Sequence, residues 1–333
     1  MSGGPPLPPT PSAGPTTSGA AGEPQATDAS GGRRHGVLRL AAGLAMLGAM
    51  LAFAGPGRLL EAARGADPRW LAAGLAAAVA STLASALRWR ALVRWLGHRV
   101  TRGWAIAVYL RGVAVNALLP GAVVGGDLLR AWSLQRDGCP RGLAGLSVVL
   151  DRVSGLWMLF ACAALGALAG IGTPQLGLLA GPVGLAAPSG QALAALAVLA
   201  ATLLLPPPVL LRSPLRRFLE RPRAARQYLL QAGASVAVQG CAIASLACAA
   251  RAFGVALPPW LIALTALPIF LLAALPVGFG GWGTREAATA ACWHAFGVPA
   301  ELAVGAAVSV GAFALVQAGA GLLCRPPAAP APR

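Results

Sequence analysis

The chain has 333 residues, of which 57% are hydrophobic and only 11% are charged, and its mean hydropathy is +0.69. Because a soluble globular domain carries roughly 25% charged residues, this composition excludes a water-soluble globule and predicts an all-α polytopic membrane protein. The formal net charge of +16 comes from arginine alone, and the arginines lie between apolar segments, which indicates membrane topology rather than nucleic-acid binding.

The chain begins with a segment rich in Pro, Gly and Ser, so residues 1–35 are predicted to form a disordered cytoplasmic tail. Residues 36–324 are predicted to form the transmembrane domain, and residues 325–333 a Pro/Ala-rich tail. At about 20 residues a crossing, the domain has room for about six to eight transmembrane helices. The first, residues 37–54, follows a pair of arginines, which places the amino terminus in the cytoplasm.

A basic segment follows the second predicted span. That span covers residues 70–87, and residues 88–102 carry five arginines and two tryptophans, which predicts the cytoplasmic face. Two roles are open for this segment: a topology anchor, or a basic collar that attracts anionic lipid headgroups. Both roles place its arginines at the membrane surface.

The next apolar segment is short and ends in a helix-breaking motif. Residues 103–119 run into NALLPGAVVGGDLLR at residues 116–130, after which further arginines follow. A full crossing would place those arginines outside, so a re-entrant or broken segment is predicted instead. Residues 142–171 then form a long span that contains an Asp–Arg pair, and residues 172–190, which lack arginine, are predicted to lie outside.

Residues 191–211 return to a cytoplasmic basic segment, and residues 227–250 form the next outward span. Four polar residues recur at every fourth position of that span: Gln227, Gln231, Ser235 and Gln239. Because this spacing keeps them on one helical face and glutamine is a poor neighbour for lipid, the stripe is predicted to face the interior or a wet cavity. It either joins helices by hydrogen bonds or lines a substrate path.

A second helix-breaking motif, LPVGFGGWGTRE at residues 275–286, follows a short apolar segment and precedes the last predicted span, residues 301–323. Aligned on Pro120 and Pro276, both motifs have a proline, a glycine pair, a carboxylate and an arginine. The surrounding spans predict opposite orientations for the two copies, as in transporters built from inverted repeats. We therefore expect the two broken segments, which contain residues 103–119 and residues 260–275, to form one paired site in which neither segment works alone.

The two motifs and the polar residues near them form the candidate substrate-binding site. Glycine pairs allow a ligand to approach the backbone, broken helix ends favour anions, and arginine binds phosphate bidentately. The alternative is a structural role, in which buried carboxylates and arginines neutralise each other. The candidates are Asn116, Pro120, Gly125, Gly126, Asp127, Arg130, Asp151, Arg152, Gln231, Gln239, Gly280, Gly281, Arg285 and Glu286.

No cofactor, metal ion or catalytic residue is predicted from the sequence. The six cysteines form no CxxC pair, the three histidines are scattered, and no GxxxxGK[ST] nucleotide-binding loop occurs. Active transport by this chain would therefore use an ion or lipid gradient, or a partner.

Four motifs in a fixed order carry a family resemblance: RWR at residues 88–90, N-x3-P-x4-GGD-x2-R at 116–130, DR-x2-G at 151–155 and P-x3-GGWGTRE at 276–286. With these motifs the chain resembles the lysylphosphatidylglycerol synthase transmembrane-region family, whose members are also described as flippase-like membrane proteins. The resemblance implies a bacterial integral membrane protein that moves aminoacylated phospholipids, polyprenyl-linked sugars or other lipids between leaflets. Synthesis of a lysyl-lipid by this chain alone is not expected, because the aminoacyl-transfer domain of two-part synthases is not in the sequence.

The leading hypothesis is a flippase-like protein of the bacterial inner (plasma) membrane, without enzymatic activity and with both termini in the cytoplasm. Its partners would be membrane lipids and a separate lipid-modifying enzyme, but no nucleic acid. Arg130 and Arg285 would hold phosphate, while the nearby carboxylates would position them or bind cationic headgroup moieties. The alternatives are a membrane-embedded glycosyl or phosphoryl transferase acting on a lipid carrier, and an accessory subunit of a lipid-modifying enzyme. The lipid, the direction of transport and the oligomeric state are not predicted.

Overall fold

The computed structural model of the protein describes residues 56–118, 124–180, 184, 187–204, 224–275 and 281–324. Within these ranges the chain is helical and contains no strand, which confirms the all-α prediction. The predicted tails, the first span and the basic segment after residue 204 lie wholly or largely outside the described residues. The helices, in chain order, are α1 (Pro56–Arg64), α2 (Pro68–Trp95), α3 (Arg102–Leu118), α4 (Gly125–Arg136), α5 (Arg141–Ala169), α6 (Pro174–Ala180), α7 (Pro188–Leu204), α8 (Ala224–Ala252), α9 (Pro259–Ala273), α10 (Thr284–His294) and α11 (Ala300–Leu323).

Four helices, α2, α5, α8 and α11, are long and apolar enough to cross a membrane. Their 24 to 29 residues correspond to about 36–44 Å at 1.5 Å a residue, which exceeds the roughly 30 Å of a hydrocarbon core. They confirm the spans that the sequence predicts from residues 70, 142, 227 and 301 onward. The protein is therefore a polytopic α-helical membrane protein.

The helices α2 and α8 pack against each other in antiparallel directions. Near the start of α2, the carbonyl of Gly74 accepts a 2.8 Å hydrogen bond from Ser245 Oγ, late in α8. Near the end of α2, the carbonyl of Arg88 accepts a 3.2 Å hydrogen bond from Gln231 Nε2, early in α8. Residue numbers thus rise along α2 as they fall along the facing side of α8.

The first broken segment is an antiparallel hairpin of α3 and α4. At its closed end, the N–H of Gly126 donates a 2.8 Å hydrogen bond to Oδ1 of Asn116. At its open end, His98 Nε2 and Asp137 Oδ2 lie 2.9 Å apart. The chain therefore travels along α3 and returns along α4 to the end where it started, which is the geometry expected of the re-entrant segment.

The second broken segment, α9 and α10, repeats this arrangement. Trp293 Nε1 on α10 donates a 3.2 Å hydrogen bond to Thr265 Oγ1 on α9. Near the tip, Gly281 has a positive φ of +80°, and a Cβ there would lie 2.9 Å from the carbonyl oxygen of Ala273. Glycine is needed at this position both for the backbone conformation and for the close return of the chain.

The two halves of the protein repeat one order of helices: a long helix, a hairpin and a second long helix. Helices α2 to α5 correspond to α8 to α11, and the same sequence offset separates Pro68 from Ala224 and Pro120 from Pro276. The packing repeats as well, because α3 contacts α11 as α9 contacts α5. Since the equivalent helices α2 and α8 are antiparallel, the two copies are inverted, as predicted.

Glycines let the hairpins approach the long helices closely. A Cβ on Gly166 of α5 would lie 2.6 Å from the carbonyl oxygen of Trp260 on α9, and one on Gly321 of α11 would collide with the carbonyl of Leu110 on α3. Small residues at helix contacts are typical of membrane proteins, in which association depends on close packing. Each copy therefore uses a glycine on its last long helix to receive the hairpin of the other copy.

The two ends of the helical bundle differ in charge. At the end where α2 begins, the exposed arginines Arg64, Arg69 and Arg251 are accompanied by Glu61 and Asp67, and the guanidinium carbon of Arg251 lies 5.6 Å from the ring centroid of Trp70. At the other end, α2 finishes, the first hairpin opens and α5 begins, and five arginines are exposed there: Arg94, Arg99, Arg102, Arg136 and Arg141. We call this the arginine-rich end; it is the end expected to face the cytoplasm.

Candidate functional site: an arginine cluster at the first hairpin

A buried carboxylate joins two arginines from different helices. Asp151 of α5 is 1% exposed, and its Oδ1 lies 2.9 Å from Nη2 of Arg88 on α2. Its Oδ2 lies 2.8 Å from Nη1 of Arg130 on α4. The backbone carbonyl of Asp151 accepts a further hydrogen bond from Arg88, 3.0 Å long. Two guanidinium groups are thus held at one aspartate.

The ion pairs continue outward through Asp127. Its Oδ1 lies 2.6 Å from Nη2 of Arg130, one helical turn away on α4, and its Oδ2 lies 2.7 Å from Nε of Arg152 on α5. Side-chain exposure rises along this path, from 4% at Arg130 to 19% at Asp127 and 44% at Arg152. We call Arg88, Asp151, Arg130, Asp127 and Arg152 the arginine cluster.

Aromatic rings hold Arg130 from the side of α2 and α3. Its guanidinium carbon lies 5.3 Å from the ring centroid of Trp89 and 4.7 Å from that of Tyr109. Trp89 in turn stacks on Trp104, with ring centroids 6.1 Å apart. Cation–π contacts of this kind are strongest where the cation has lost its water, as it has here. The guanidinium of Arg130 is therefore fixed between two carboxylates and two rings.

The glycine pair of the first motif brings α4 against α3. Gly125 opens α4, and Gly126 is buried where the two helices meet. A Cβ on Gly126 would collide with the carbonyl oxygen of Gly112 and would lie 2.6 Å from Asn116 Oδ1. The predicted residues Asn116, Gly125 and Gly126 thus set the position of α4, and with it the position of Arg130.

Three residues of the polar stripe of α8, namely Gln231, Ser235 and Gln239, lie against the same cluster and face the protein interior. Ser235, which is 1% exposed, accepts a 3.0 Å hydrogen bond from Nη1 of Arg88. Gln239 Nε2 donates to the carbonyl of Gly155 on α5, 2.7 Å away, while Gln231 donates to the carbonyl of Arg88. The stripe therefore joins α8 to α2 and α5 by hydrogen bonds, which is one of its two predicted roles.

The second hairpin holds a smaller cluster that is buried more completely. Glu286 is 0% exposed, and its Oε1 accepts hydrogen bonds from Nη2 and Nε of Arg285, 2.6 and 3.1 Å long. Its Oε2 accepts a 2.6 Å hydrogen bond from the N–H of Gly283 at the start of α10. The guanidinium of Arg285 also lies 5.3 Å from the ring centroid of Trp282. We call Arg285 and Glu286 the second cluster.

The two clusters are built on different helices. The first uses α2, α4 and α5, whereas α10 packs on α9 and α11. Within the part of the chain that the structure describes, no hydrogen bond or ion pair connects the arginine cluster with Arg285 or Glu286. The predicted contact between the two motifs would fall at their tips, where Pro120 and Gly280 lie outside the described residues.

Sequence reasoning missed Arg88 as a site residue. The sequence interpretation assigns residues 88–102 to the membrane surface, but α2 continues to Trp95 and Arg88 is only 5% exposed. This assignment is wrong for Arg88, because the carboxylate of Asp151 stabilises its charge inside the bundle. No glycine or proline interrupts the helix after residue 87, and this absence of a break is a signal that could have revealed it.

The chemistry available at these clusters is recognition by arginine. Among the described residues, no group of three or more His, Cys, Asp or Glu side chains is placed to hold a metal ion. The carboxylates of Asp127, Asp151 and Glu286 each accept hydrogen bonds from arginine. Guanidinium groups in such positions bind carboxylate or phosphate oxygens bidentately.

A family model described as the lysylphosphatidylglycerol synthase TM region matches residues 36–321, a range that includes both hairpins, three of the four candidate spans and all but the last two residues of the fourth. The chain belongs to this family. No curated protein matches the chain. Membership of the lysylphosphatidylglycerol synthase TM-region family, together with the four long apolar helices, identifies the protein as a multi-pass integral membrane protein.

Proposed function

We propose that the protein binds anionic or headgroup-modified lipids and moves them between the leaflets of a bacterial plasma membrane. The observation that carries the proposal is the graded burial of the arginine cluster, from Arg88 in the interior to Arg152 at 44% exposure. Such a path lets an anionic group enter at the exposed end and find arginine donors at every step. Phospholipids and polyprenyl-linked lipids both present the required phosphate.

Asp127 is the carboxylate that a lipid phosphate would replace. It bridges Arg130 and Arg152 with its two oxygens, and a phosphate presents oxygens to two guanidinium groups in the same way. Asp127 is 19% exposed, whereas Asp151 is 2% exposed. Exchange therefore occurs at Asp127, while Asp151 holds Arg88 and Arg130 in place throughout.

The position of the cluster suits a headgroup that enters from the arginine-rich end. Arg88 precedes the last residue of α2, Trp95, by two helical turns, about 10 Å along the axis. Next to the cluster, Leu128 and Trp132 on α4 and Val153 on α5 are at least half exposed. This apolar flank would receive the acyl or prenyl chains while the phosphate occupies the cluster.

The inverted second copy provides the other half of the path. Because the copies have opposite orientations, the hairpin of α9 and α10 opens toward the end of the bundle that is opposite the arginine-rich end. Arg285, held in place by the buried Glu286, would supply the guanidinium donor for the headgroup in the second copy. A gradient or a partner would supply energy, and a separate lipid-modifying enzyme would supply or consume the lipid.

Transport without catalysis fits the state of the carboxylates. A general base must be free to accept a proton from its substrate, but Asp151 and Glu286 are buried and engaged by arginine. We therefore place these carboxylates in a positioning role. Product formed by the pure protein from a lipid carrier and a nucleotide-sugar would contradict this assignment.

The experiment is a leaflet-exchange assay on the full chain in phosphatidylglycerol-containing vesicles. Fluorescently labelled phosphatidylglycerol is followed with a membrane-impermeant quencher, and wild type is compared with Arg130→Gln. The matched control is Arg94→Gln, an exposed arginine at the end of α2. Exchange should fall at least about tenfold in Arg130→Gln and stay unchanged in the control.

Folding must be separated from function in this assay. Arg130→Lys keeps the charge that Asp151 requires but removes the bidentate geometry, so it should fold and still exchange lipid slowly. Normal lipid exchange by folded Arg130→Lys and Arg130→Gln variants would overturn the proposed function. So would wild-type exchange that is no faster than exchange in protein-free vesicles.

A further inference from the structure

Arg111 lies in the middle of the apolar helix α3, and no carboxylate among the described residues forms an ion pair with it. Arg88, Arg130 and Arg285 each lie within 3 Å of a carboxylate oxygen. Arg111 is partly exposed and, among the described residues, has no hydrogen bond, ion pair or aromatic contact. An ionisable side chain at membrane depth is costly, and where no partner is built in, a ligand is the expected partner.

The neighbours of Arg111 on α3 show which way its side chain points. Val108, three residues before it, packs in a core cluster with Trp89 of α2. Ala114, three residues after it, packs with Ala318 of α11. Residues three apart lie on one face of a helix, so Arg111 stands between a contact with α2 and a contact with α11.

Gln317 of α11 points into the same place. Phe313, four residues before Gln317, packs on α2, because a Cβ on Gly74 of α2 would lie 2.8 Å from its ring. Gly321, four residues after Gln317, contacts α3 at Leu110. Gln317 therefore also stands between α2 and α3. We call the place where α2, α3 and α11 meet the three-helix trough.

Gln317 carries a buried acceptor that lacks a donor. The side chain is 7% exposed, and its Nε2 donates a 3.2 Å hydrogen bond to the carbonyl of Phe313. Its Oε1 is buried and has no hydrogen-bond partner among the described residues. An unsatisfied buried acceptor costs free energy, so a site that leaves one open is suited to a ligand that brings an O–H or N–H.

The spacing of the two groups matches one headgroup. A Cβ on Gly321 would lie 3.3 Å from the backbone nitrogen of Arg111, which puts these two residues at one level. Gln317 precedes Gly321 by about one turn of α11, which puts it about 6 Å further from the arginine-rich end. A cation with an acceptor one turn deeper fits a phosphate that carries a short hydroxylated group.

We propose that the three-helix trough binds the headgroup of an anionic phospholipid, with Arg111 donating to the phosphate and Gln317 Oε1 accepting from a headgroup hydroxyl. This subsite rests on the proposed function and adds a specificity determinant to it. The phosphate selects anionic lipids, and the hydroxyl selects glycerol- or sugar-bearing headgroups over a bare phosphate.

The test measures binding to the full chain in detergent. The probes are phosphatidylglycerol, phosphatidic acid, phosphatidylcholine and inorganic phosphate, followed by native mass spectrometry and by quenching of tryptophan fluorescence with brominated lipid. Phosphatidic acid has the phosphate without the hydroxyl, and inorganic phosphate has no lipid chain. The variants are Arg111→Gln and Gln317→Leu, with Arg94→Gln as the control for a surface charge.

Arg111→Gln should weaken the binding of phosphatidylglycerol and of phosphatidic acid alike, by about tenfold or more. Gln317→Leu should weaken the binding of phosphatidylglycerol by about tenfold and leave the binding of phosphatidic acid unchanged. Arg111→Gln should not lower the midpoint of thermal unfolding, because Arg111 has no partner to lose among the described residues. Gln317→Leu should lower it little, because it loses only the hydrogen bond from Nε2 to the Phe313 carbonyl and removes a buried acceptor that has no donor among the described residues. Competition by millimolar inorganic phosphate would assign the site to free phosphate instead of lipid.

The outcomes separate this inference from the proposed function. If Arg130→Gln stops leaflet exchange while both trough variants bind all lipids as wild type does, the subsite is wrong and the proposed function stands. If Arg130→Gln has no effect either, both are wrong. Should Arg111→Gln fail to fold, Arg111→Lys is measured in its place, and wild-type affinity for phosphatidylglycerol in that variant overturns the subsite.

Discussion

Arg130 Nη1 lies 2.8 Å from Asp151 Oδ2, and the two side chains are 4% and 2% exposed. This pair joins the first hairpin to the long helix α5, so that the two oxygens of Asp151 contact Arg88 and Arg130. Buried ion pairs contribute little net stability, but removing one partner leaves an uncompensated charge away from water. The arginine cluster should therefore respond very differently to changes at its buried and its exposed ends.

Asp151→Asn should lower the free energy of unfolding by about 3 kcal/mol or more, because it leaves Arg88 and Arg130 buried without their shared carboxylate. Asp127→Asn is the matched control and should cost much less, since Arg130 keeps its contact with Asp151 and Arg152 is 44% exposed to water. Thermal unfolding in detergent measures both. Equal losses of unfolding free energy in the two variants would show that the contribution of a carboxylate to this cluster does not depend on its burial.

Gly311→Ala should disrupt the second cluster and lower the free energy of unfolding by about 1–3 kcal/mol. A Cβ at Gly311 would collide with Nη2 of Arg285 and would lie 2.8 Å from the ring of Trp282, which pushes Arg285 away from Glu286. Gly319→Ala on the same helix is the control, because nothing lies within 4 Å of a Cβ there. A loss as large in the control would point to a helix-wide effect.

Gly126→Ala should separate α4 from α3 and displace Arg130. The new Cβ would collide with the carbonyl oxygen of Gly112, and a backbone atom in a helix cannot move aside as a side chain can. We expect lipid exchange to fall together with the unfolding midpoint. Gly142→Ala, with nothing within 4 Å of its Cβ, should change neither. Unchanged lipid exchange in Gly126→Ala would contradict the claim that close packing of α4 on α3 positions Arg130 for lipid exchange.

Cys139 should react slowly with maleimide at neutral pH and faster as the pH rises beyond 9. Burial raises the pKa of the Cys139 thiol above its ordinary value of 9.0, and the negative charge of Asp137 raises the pKa further. Because the thiolate is the reactive form, a raised pKa lowers the reactive fraction at any pH below it. The rate is measured in a variant whose other cysteines are serine.

Asp137→Asn tests the cause of this slow labelling. Without the carboxylate the pKa of Cys139 should fall, so the labelling rate at pH 8 should rise in Asp137→Asn, while the unfolded protein should label equally with and without the substitution. Equal rates in the folded pair would assign the slow labelling to burial alone. Labelling of Cys139 from outside the cell would contradict a cytoplasmic arginine-rich end.

Local sequence signals predicted most of the architecture. The four long spans follow from runs of apolar residues, and the hairpins follow from short apolar runs that end in proline and glycine. The inverted repeat was predicted from the proline, glycine pair, carboxylate and arginine that both motifs share, and from the arginines, which gave the two copies opposite orientations. Each of these features depends on neighbours in the chain.

The site was predicted in part. Asp127, Arg130, Asp151 and Arg152 are candidates that the fold brings into one cluster, but Arg88 is absent from that set. Arg88 lies 63 positions from Asp151, and no spacing rule connects residues so far apart. The orientation of the α8 stripe was predictable because it depends on one helix alone.

The sequence by itself determined that this chain resides in a membrane, where its helices break and that it consists of two inverted copies, since the cost of exposing backbone and charge to lipid acts on every segment separately. Only the tertiary structure decided which arginines share a carboxylate, and that Arg111, inside an apolar helix, has no carboxylate partner among the described residues. Asp151 contacts Arg88 and Arg130, which lie 63 and 21 positions away in the sequence, and it makes no contact with Arg111.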